Sequence, residues 1–431
     1  MTNNPGPRHL LEALYRVAVE AAHPDHCLVP HLPAPPENGR IILLAGGKAA
    51  GSMMRVAEKH YRETHGLGPD RLVGLGVARI GYGAKTPLIE VVEAGHPVPD
   101  EAGVLATRRV MELAAAATKD DLVLVLLSGG GSANWIAPAG ALTLSEKQSI
   151  TKALLRSGAT IGDINTVRKH LSAIKGGRLA KLAAPARVLT LAISDVPHDD
   201  PSVVASGPTV PDPSTLKAAR AVIERFAIPL PASARALLND AANETPKPGD
   251  PAFAHTAYEI IARPFLSVQA AAALVRAQGY ETRILGDALE GEAREVAKMH
   301  AELAIASREE GKRIAFLSGG ELTVTVRGNG RGGPNQEYAL ALAIALNGAD
   351  KLSALAGDTD GTDGGDGSPD DPAGAFIDST TLDRAAHLGI DPRAMLDNND
   401  ATGFFDALQD GLRPGPTGTN VNDIRVILID I

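Results

Sequence analysis

The stretch VLVLLSGGGSANW, Val123 to Trp135, passes from an unbroken aliphatic run into three consecutive glycines and a serine. From Leu122 to Leu127 the chain carries only Leu and Val. A continuous apolar run of strand length predicts a strand covered on both faces, the habit of a parallel sheet between two helical layers. The glycines then stand at its carboxyl end. In open α/β sheets that edge binds ligands, because its loops lead into helix N-termini whose unpaired N–H groups and positive dipole ends attract anions. One glycine would make a tight turn, whereas three in a row suit a backbone that must touch its ligand.

The same rhythm extends on either side. RIILLAG, LVGLGVA, DLVLVLLSG and RVLTLAISD read as strands, and AAGSMMRVAEKHYRE, DEAGVLATRRVMELAAAA and a stretch beginning near LSEKQSITKALLRSG read as the helices between them. This alternation predicts a doubly wound, Rossmann-like α/β domain over residues 1–240. A polar, proline-rich segment without apolar period predicts a linker at 241–254. A second α/β domain is expected over 255–431, where FLSVQAAAALVRAQGYETRIL suggests strand, helix and strand, and ELTVTV, alternating apolar residues with Thr, suggests a half-covered strand of a mixed sheet.

Composition excludes several function classes. A chain of 431 residues exceeds one ordinary core, and 44% hydrophobic residues mark it as globular. With 42 Lys+Arg against 51 Asp+Glu and no basic run, nucleic acid is not an expected partner. No apolar run reaches the roughly 20 residues of a membrane span, and the opening residues lack a signal-peptide core, so a cytoplasmic protein is expected. The single Cys27 rules out an internal disulfide, and no Cys/His grouping has zinc spacing.

Three strands end in small residues and glycines: IILLAGGKAAG, LVLLSGGGSAN and IAFLSGGELTV. Their recurrence predicts a shared polyanionic ligand at the glycine loops of Gly46 and Gly47, of Gly129, Gly130, Gly131 and Ser132, and of Gly319 and Gly320, the last followed by Glu321. Lys48 follows Gly46 and Gly47 at a helix start, where it opposes the dipole and therefore favours a functional cation. Walker A spacing fails there. RGNGRGGPNQEYALA holds a literal GxGxxG at Gly328, Gly330 and Gly333, but the Thr-alternating segment before it does not suit the first strand of a dinucleotide unit. A phosphate-binding loop is the alternative, with Arg331 over the phosphates and Gly332, Gly333 and Asn335 at the helix start. AGDTDGTDGGDG places Asp358, Asp360, Asp363 and Asp366 in a glycine-rich turn able to hold Mg²⁺ through one or two carboxylates. Asp195, at another strand end, suits a metal or a hydroxyl proton, while Asp199 and Asp200 suit turns beside Pro201. Ser132 lacks a nucleophile elbow and reads as a phosphate-binding or backbone-supporting hydroxyl.

AGGKAAGSM, EAGHPVPD, LLSGGGSA, NTVRKHLSAIKGGRLA, SDVPHDDPSVVASGPT, LSGGELTVTV, GRGGPNQEYALA, GDTDGTDG and TGTNVNDIRVILI together resemble the class II glycerate kinases, the glycerate 2-kinase family with a C-terminal MOFRL module. The resemblance runs from about residue 8 to the end. It implies two α/β domains with the active site between them, ATP and Mg²⁺ as cofactors, and transfer of the γ-phosphate to the 2-hydroxyl of D-glycerate. It also implies catalytic roles for Lys48 and Arg331, glycine loops facing the site, and Asp195, Asp358 and Asp363 as metal or polar contacts. A homo-oligomer is left open. Members of this family have also been labelled hydroxypyruvate reductases through tartrate breakdown; that alternative needs a nicotinamide site.

Overall fold

The computed structural model describes residues 6–364, 368 and 370–431. The chain divides into two compact units, one formed by Cys27–Ile261 and the other by Met1–His26 together with Ala262–Ile431. The boundary expected at 241–254 therefore moves to Ala262, and the N-terminal helix Pro7–Ala21 belongs with the C-terminal half. The would-be linker is packed against its own unit. Asn243 donates from Nδ2 to the carbonyl of His170 at 2.7 Å, and Thr245 Oγ1 donates to Asp212 at 3.0 Å. Prolines and polar residues there make side-chain contacts that no apolar period announces.

In the Cys27–Ile261 unit, β1 (Ile41–Gly46), β2 (Leu72–Arg79), β3 (Glu90–Ala94), β4 (Leu122–Leu127), β5 (Arg187–Ile193) and β6 (Thr256–Ala262) form a six-stranded parallel sheet in the order β3-β2-β1-β4-β5-β6. Every residue of β1 and β4 is buried, as their unbroken apolar runs require. Alternate residues serve opposite faces: Ile42, Leu44, Val123, Val125 and Leu127 share one core with Trp135, while Ile41, Leu43, Leu124 and Leu126 are buried on the other side. Strand order reverses between β1 and β4, so the loops leaving these neighbours part to opposite faces and open a crevice at their carboxyl ends. A helical layer adds a core of its own. Helices Leu144–Arg156 and Ile161–His170, each started by a capping box on Thr143 and Thr160, pack with Leu216–Arg225 and Ala232–Asn239 around Ile150, Leu154, Val167 and Leu238.

The second unit is built on a mixed sheet of β7 (Glu281–Gly286), β8 (Ile314–Ser318), β9 (Leu352–Asp358), β10 (Gly374–Asp378), β11 (Gly411–Leu412) and β12 (Asp423–Ile429), ordered β11-β10-β9-β12-β8-β7. Only β7 and β8 pair in parallel. Helices Pro7–Ala21 and Pro264–Ala277 cover one face through Leu11, Leu14, Ala271 and Val275. Ala293–Arg308 and Pro334–Leu346 cover the other, and the second of these is buried almost all round, which its PNQEYALALAIAL composition demands.

Two expected strands of this unit are corrected. FLSV belongs to the helix that Pro264 opens at its first position, where the missing N–H costs nothing. ELTVTV forms no ladder; Thr323 makes one isolated bridge to Glu292, and the Glu292 carboxylate takes the N–H and hydroxyl of Thr325 at 2.9 and 3.1 Å. That side chain and the backbone bonds of Thr323 to Gly291 and Ala293 hold the extended segment in place of a neighbouring strand, and Val326 is left 75% exposed. Among the described residues no helix is long and apolar enough to cross a membrane.

Candidate active site

The crevice between β1 and β4 gathers the first two glycine loops. Ser128 donates its N–H to the carbonyl of Gly46 at 3.1 Å, Lys48 donates its own to the carbonyl of Gly129 at 2.8 Å, and Ser128 Oγ accepts the N–H of Ala49 at 2.9 Å. The two loops are laced together backbone to backbone. Gly47 has φ 119°, and a Cβ there would stand 2.4 Å from Ser128 Oγ, so neither conformation nor space admits another residue. Gly130, at φ 81°, opens the short helix Gly131–Asn134; a Cβ on it would lie 3.1 Å from Lys48 Cγ and 3.2 Å from His96 Nε2. Lys48 is half-buried, with its stem lying beside Gly130 and the His96 ring.

Three residues that the sequence reading did not single out hold this arrangement. Ser206 Oγ sits 2.8 Å from Ser132 Oγ. Lys175 is buried and donates to the carbonyls of Ser132 and Trp135, both at 2.9 Å, which pins the glycine loop from below. Burial drives its ammonium well below the ordinary lysine range, and the charges of Lys147 and Arg168 add to that. Trp135 in turn fills the space over Gly46, where a Cβ would meet its ring at 2.7 Å. Only a lysine followed by two glycines and a helix, AIKGGRLA, marked Lys175 in the sequence.

Asp195 follows β5 at the same edge of the sheet. The phenol of Tyr258 is pushed up by burial and then by the nearby charges of Asp195, Asp200 and Asp199. Asp200 makes the expected turn, accepting the N–H of Ser202 at 2.8 Å. The backbone of this loop is held in the left-handed region at His198, Asp199, Ala205 and Ser206, a concentration of strain that recurs at functional sites.

The remaining candidates lie in the other unit. Gly319 and Gly320 turn their carbonyls to the guanidinium of buried Arg425, at 3.0 and 3.2 Å, and Arg425 also pairs with Asp423. Glu321 is exposed beside them. Asp363 takes a structural position: its two oxygens accept the N–H groups of Asn335 and Gln336 at 3.0 and 2.8 Å and both side-chain amides at 3.2 Å, closing the N-terminus of helix Pro334–Leu346. Burial lifts its carboxyl to about 7 against the pull of those N–H groups, with Asp423 adding to the rise. Asn335 donates to Asp363 and, at 2.6 Å, to Asp423. Its Nδ2 is thus spent inside the protein, while its buried Oδ1 has no hydrogen-bond partner among the described residues. Gly333 packs on Asp363, where a Cβ would stand 2.5 Å from the carboxyl carbon, and Gly332 precedes it. Asp358, half-buried at the end of β9, accepts the N–H of Asp360 at 2.9 Å.

The loop carrying Arg331 departs from the expected phosphate cradle. Asn399 Oδ1 accepts the N–H groups of Arg327 and Gly328, Asn398 accepts those of Asn329 and Gly330, and Asp400 accepts that of Arg331 at 3.2 Å. These amides are satisfied within the unit, and the side chain of Arg331, 58% exposed and 3.8 Å from Asp406, faces outward. Among the described residues no three His, Cys, Asp or Glu side chains group as a metal cage, and Asp366 lies outside the described residues. Mg²⁺ needs only one or two protein carboxylates alongside water and phosphate oxygens. Asp195 and Asp358, half-buried oxygen donors at strand ends, fit that requirement, whereas Asp363, with both oxygens committed to four donors, does not.

Known proteins share this organisation. Residues 10–239 match a domain of unknown function, DUF4147, and residues 314–423 match the MOFRL family. A putative hydroxypyruvate reductase of Agrobacterium vitis is 46% identical, over 99% of this chain and 95% of that protein. The D-glycerate 2-kinase of Thermotoga maritima is 40% identical, over 96% of this chain and 97% of its own. A crystal structure of glycerate kinase from Thermotoga maritima superposes with a TM-score of 0.84 at 39% identity, covering 98% of this chain and 99% of that one. Sharing both modules in this order, and aligned almost end to end with these relatives, the chain belongs to the glycerate kinase family.

Proposed function

We propose that this protein is an ATP-dependent kinase that phosphorylates the 2-hydroxyl of D-glycerate, giving 2-phosphoglycerate and ADP. The observation that carries the reading is Lys48, set between two interlaced glycine loops at the reversal point of a parallel sheet. Phosphoryl transfer asks the protein chiefly for positioning and charge neutralisation, and a cation held rigidly between two glycine loops supplies both. Lys48 and Arg331 neutralise charge on the moving phosphoryl group. Asp195 accepts the proton as the hydroxyl oxygen bonds to phosphorus and ADP departs. Asp195 and Asp358 are the carboxylates assigned to Mg²⁺, which when bound spreads the negative charge of the phosphate oxygens. Asp363 and Asn335 are assigned to the fold that supports the site.

The name of the Agrobacterium vitis relative favours a second reading, an NAD(P)H-dependent hydroxypyruvate reductase. Its one fingerprint-like loop, Gly328–Gly333, follows no strand of the sheet and has its amides taken by Asn398, Asn399 and Asp400. A paired assay separates the two. The kinase makes ADP only with ATP, Mg²⁺ and D-glycerate together; consumption of NADH or NADPH with hydroxypyruvate, without ATP, would establish the reductase instead.

A further inference from the structure

The helix Ile161–His170 ends in three consecutive basic residues, and two of them are paired. Lys169 lies 3.3 Å from Asp212, and His170 Nε2 lies 2.9 Å from Glu244. Arg168 differs. Among the described residues its guanidinium makes no hydrogen bond and no ion pair, although it is half-buried. Its charged neighbours are cations: Arg168 helps depress both Lys147, drawn down to about 7 chiefly by burial, and Lys175. Lys147 is anchored to the carbonyl of Leu171 at 2.7 Å, so neither lysine is free to turn away.

Asn165 precedes Arg168 by three residues and so shares its helix face. It is only 7% exposed, yet its side-chain amide has no hydrogen-bond partner among the described residues. The helix packs on Val204–Ser206, which packs on Gly131–Asn134, and Ser206 and Lys175 both touch Ser132. The unpartnered pair therefore belongs to the layer directly beside the second glycine loop.

A half-desolvated cation without a counter-charge is costly, and an amide that keeps only a sliver of solvent contact and no protein partner adds to the cost; together on one face they call for an anion with an adjoining polar group. We propose that Arg168 and Asn165 form the acceptor subsite, in which the guanidinium grips the carboxylate of a small 2-hydroxy acid and the Asn165 amide takes the neighbouring hydroxyl. The planar fork of arginine matches a carboxylate through two parallel N–H bonds, and an amide both donates and accepts, as a hydroxyl requires. Lys48 and the glycine loops are left for phosphate. The assignment rests on the kinase reading for the identity of the acid, although the subsite itself does not require turnover.

The test compares wild type with Arg168→Gln, Arg168→Lys and Asn165→Ala, each checked for native melting. Losing a charge-assisted, bidentate contact should raise KM for D-glycerate about 100-fold in Arg168→Gln and about 10-fold in Asn165→Ala, with KM for ATP within about 3-fold of wild type. Arg168→Lys should fall between, and should carry the comparison together with Asn165→Ala if Arg168→Gln does not fold. Wild type should discriminate against the uncharged amide of glycerate, and Arg168→Gln should lose that discrimination. Unchanged KM for glycerate overturns the proposal, as does a rise confined to ATP, which would make Arg168 a nucleotide-phosphate contact. Calorimetric titration of D-glycerate, with and without a non-hydrolysable ATP analogue, separates the two readings. Glycerate binding that is lost in Arg168→Gln while wild type turns over no substrate sinks the kinase and keeps the subsite; normal phosphorylation by Arg168→Gln does the reverse.

Discussion

Lys48 opposes the dipole of the helix that begins at Ala50, so its placement there works against the helix, as suits a cation kept for a ligand. Lys48→Ala should lower kcat by about 10²- to 10³-fold at saturating ATP, the usual effect of removing one preorganised electrostatic contact, while the melting temperature holds or rises slightly. Paired turnover and melting measurements check both halves of that expectation. Lys48 was legible because its two glycines stand beside it in sequence. Lys175 was not, since its meaning lies in carbonyls 43 and 40 residues distant, at Ser132 and Trp135. Arg168 was equally hidden: a basic residue in a last helical turn is ordinary until its neighbours prove to be cations.

At the scale of elements, helix Pro334–Leu346 depends on a carboxylate from another part of the chain. Its Gly333 N-cap has no side chain to offer, and Asp363 receives the first amides instead. Asp363→Ala should destabilise the protein by about 1–3 kcal/mol, the cost of stranding buried donors, and a lowered urea midpoint would show it. If the stability were unchanged but Mg²⁺-dependent activity vanished, Asp363 would return to the metal. The sequence made Asp363 resemble a metal ligand because a glycine-rich acidic turn looks alike whether it serves a cation or a helix. Buried strands such as β4 were readable from composition alone, since continuous Leu and Val admit little else. ELTVTV was misread because alternation reports which side chains face inward and says nothing of whether a neighbouring strand exists.

For the whole molecule, the doubly wound sheet followed from the regular strand and helix rhythm, but the division of the chain did not. The amphipathic helix Pro7–Ala21 declares a buried face without declaring its partner, which proves to be the distant helix Pro264–Ala277. Global stability should also carry the imprint of Lys147. Held at about 7 in the folded chain against an ordinary value near 10.5, it has released a proton that the unfolded chain retains between those limits. Stability from this group therefore rises with pH from about 7 to about 10.5, and is lowest below that window. Lys147→Met should remove that rise, as denaturant titrations at pH 7 and pH 10 would show by a smaller difference between the two pH values than in wild type.

The strand β12 lies between β8 and β9 at the middle of its sheet, although it follows all the other described strands in the chain. While a ribosome is still making it, β8 and β9 have an open seam between them, and the continuous Cys27–Ile261 unit has already emerged whole. The nascent chain thus carries one finished half and one waiting for its keystone. In that interval the exposed edges of β8 and β9 are the parts most in need of a chaperone's cover.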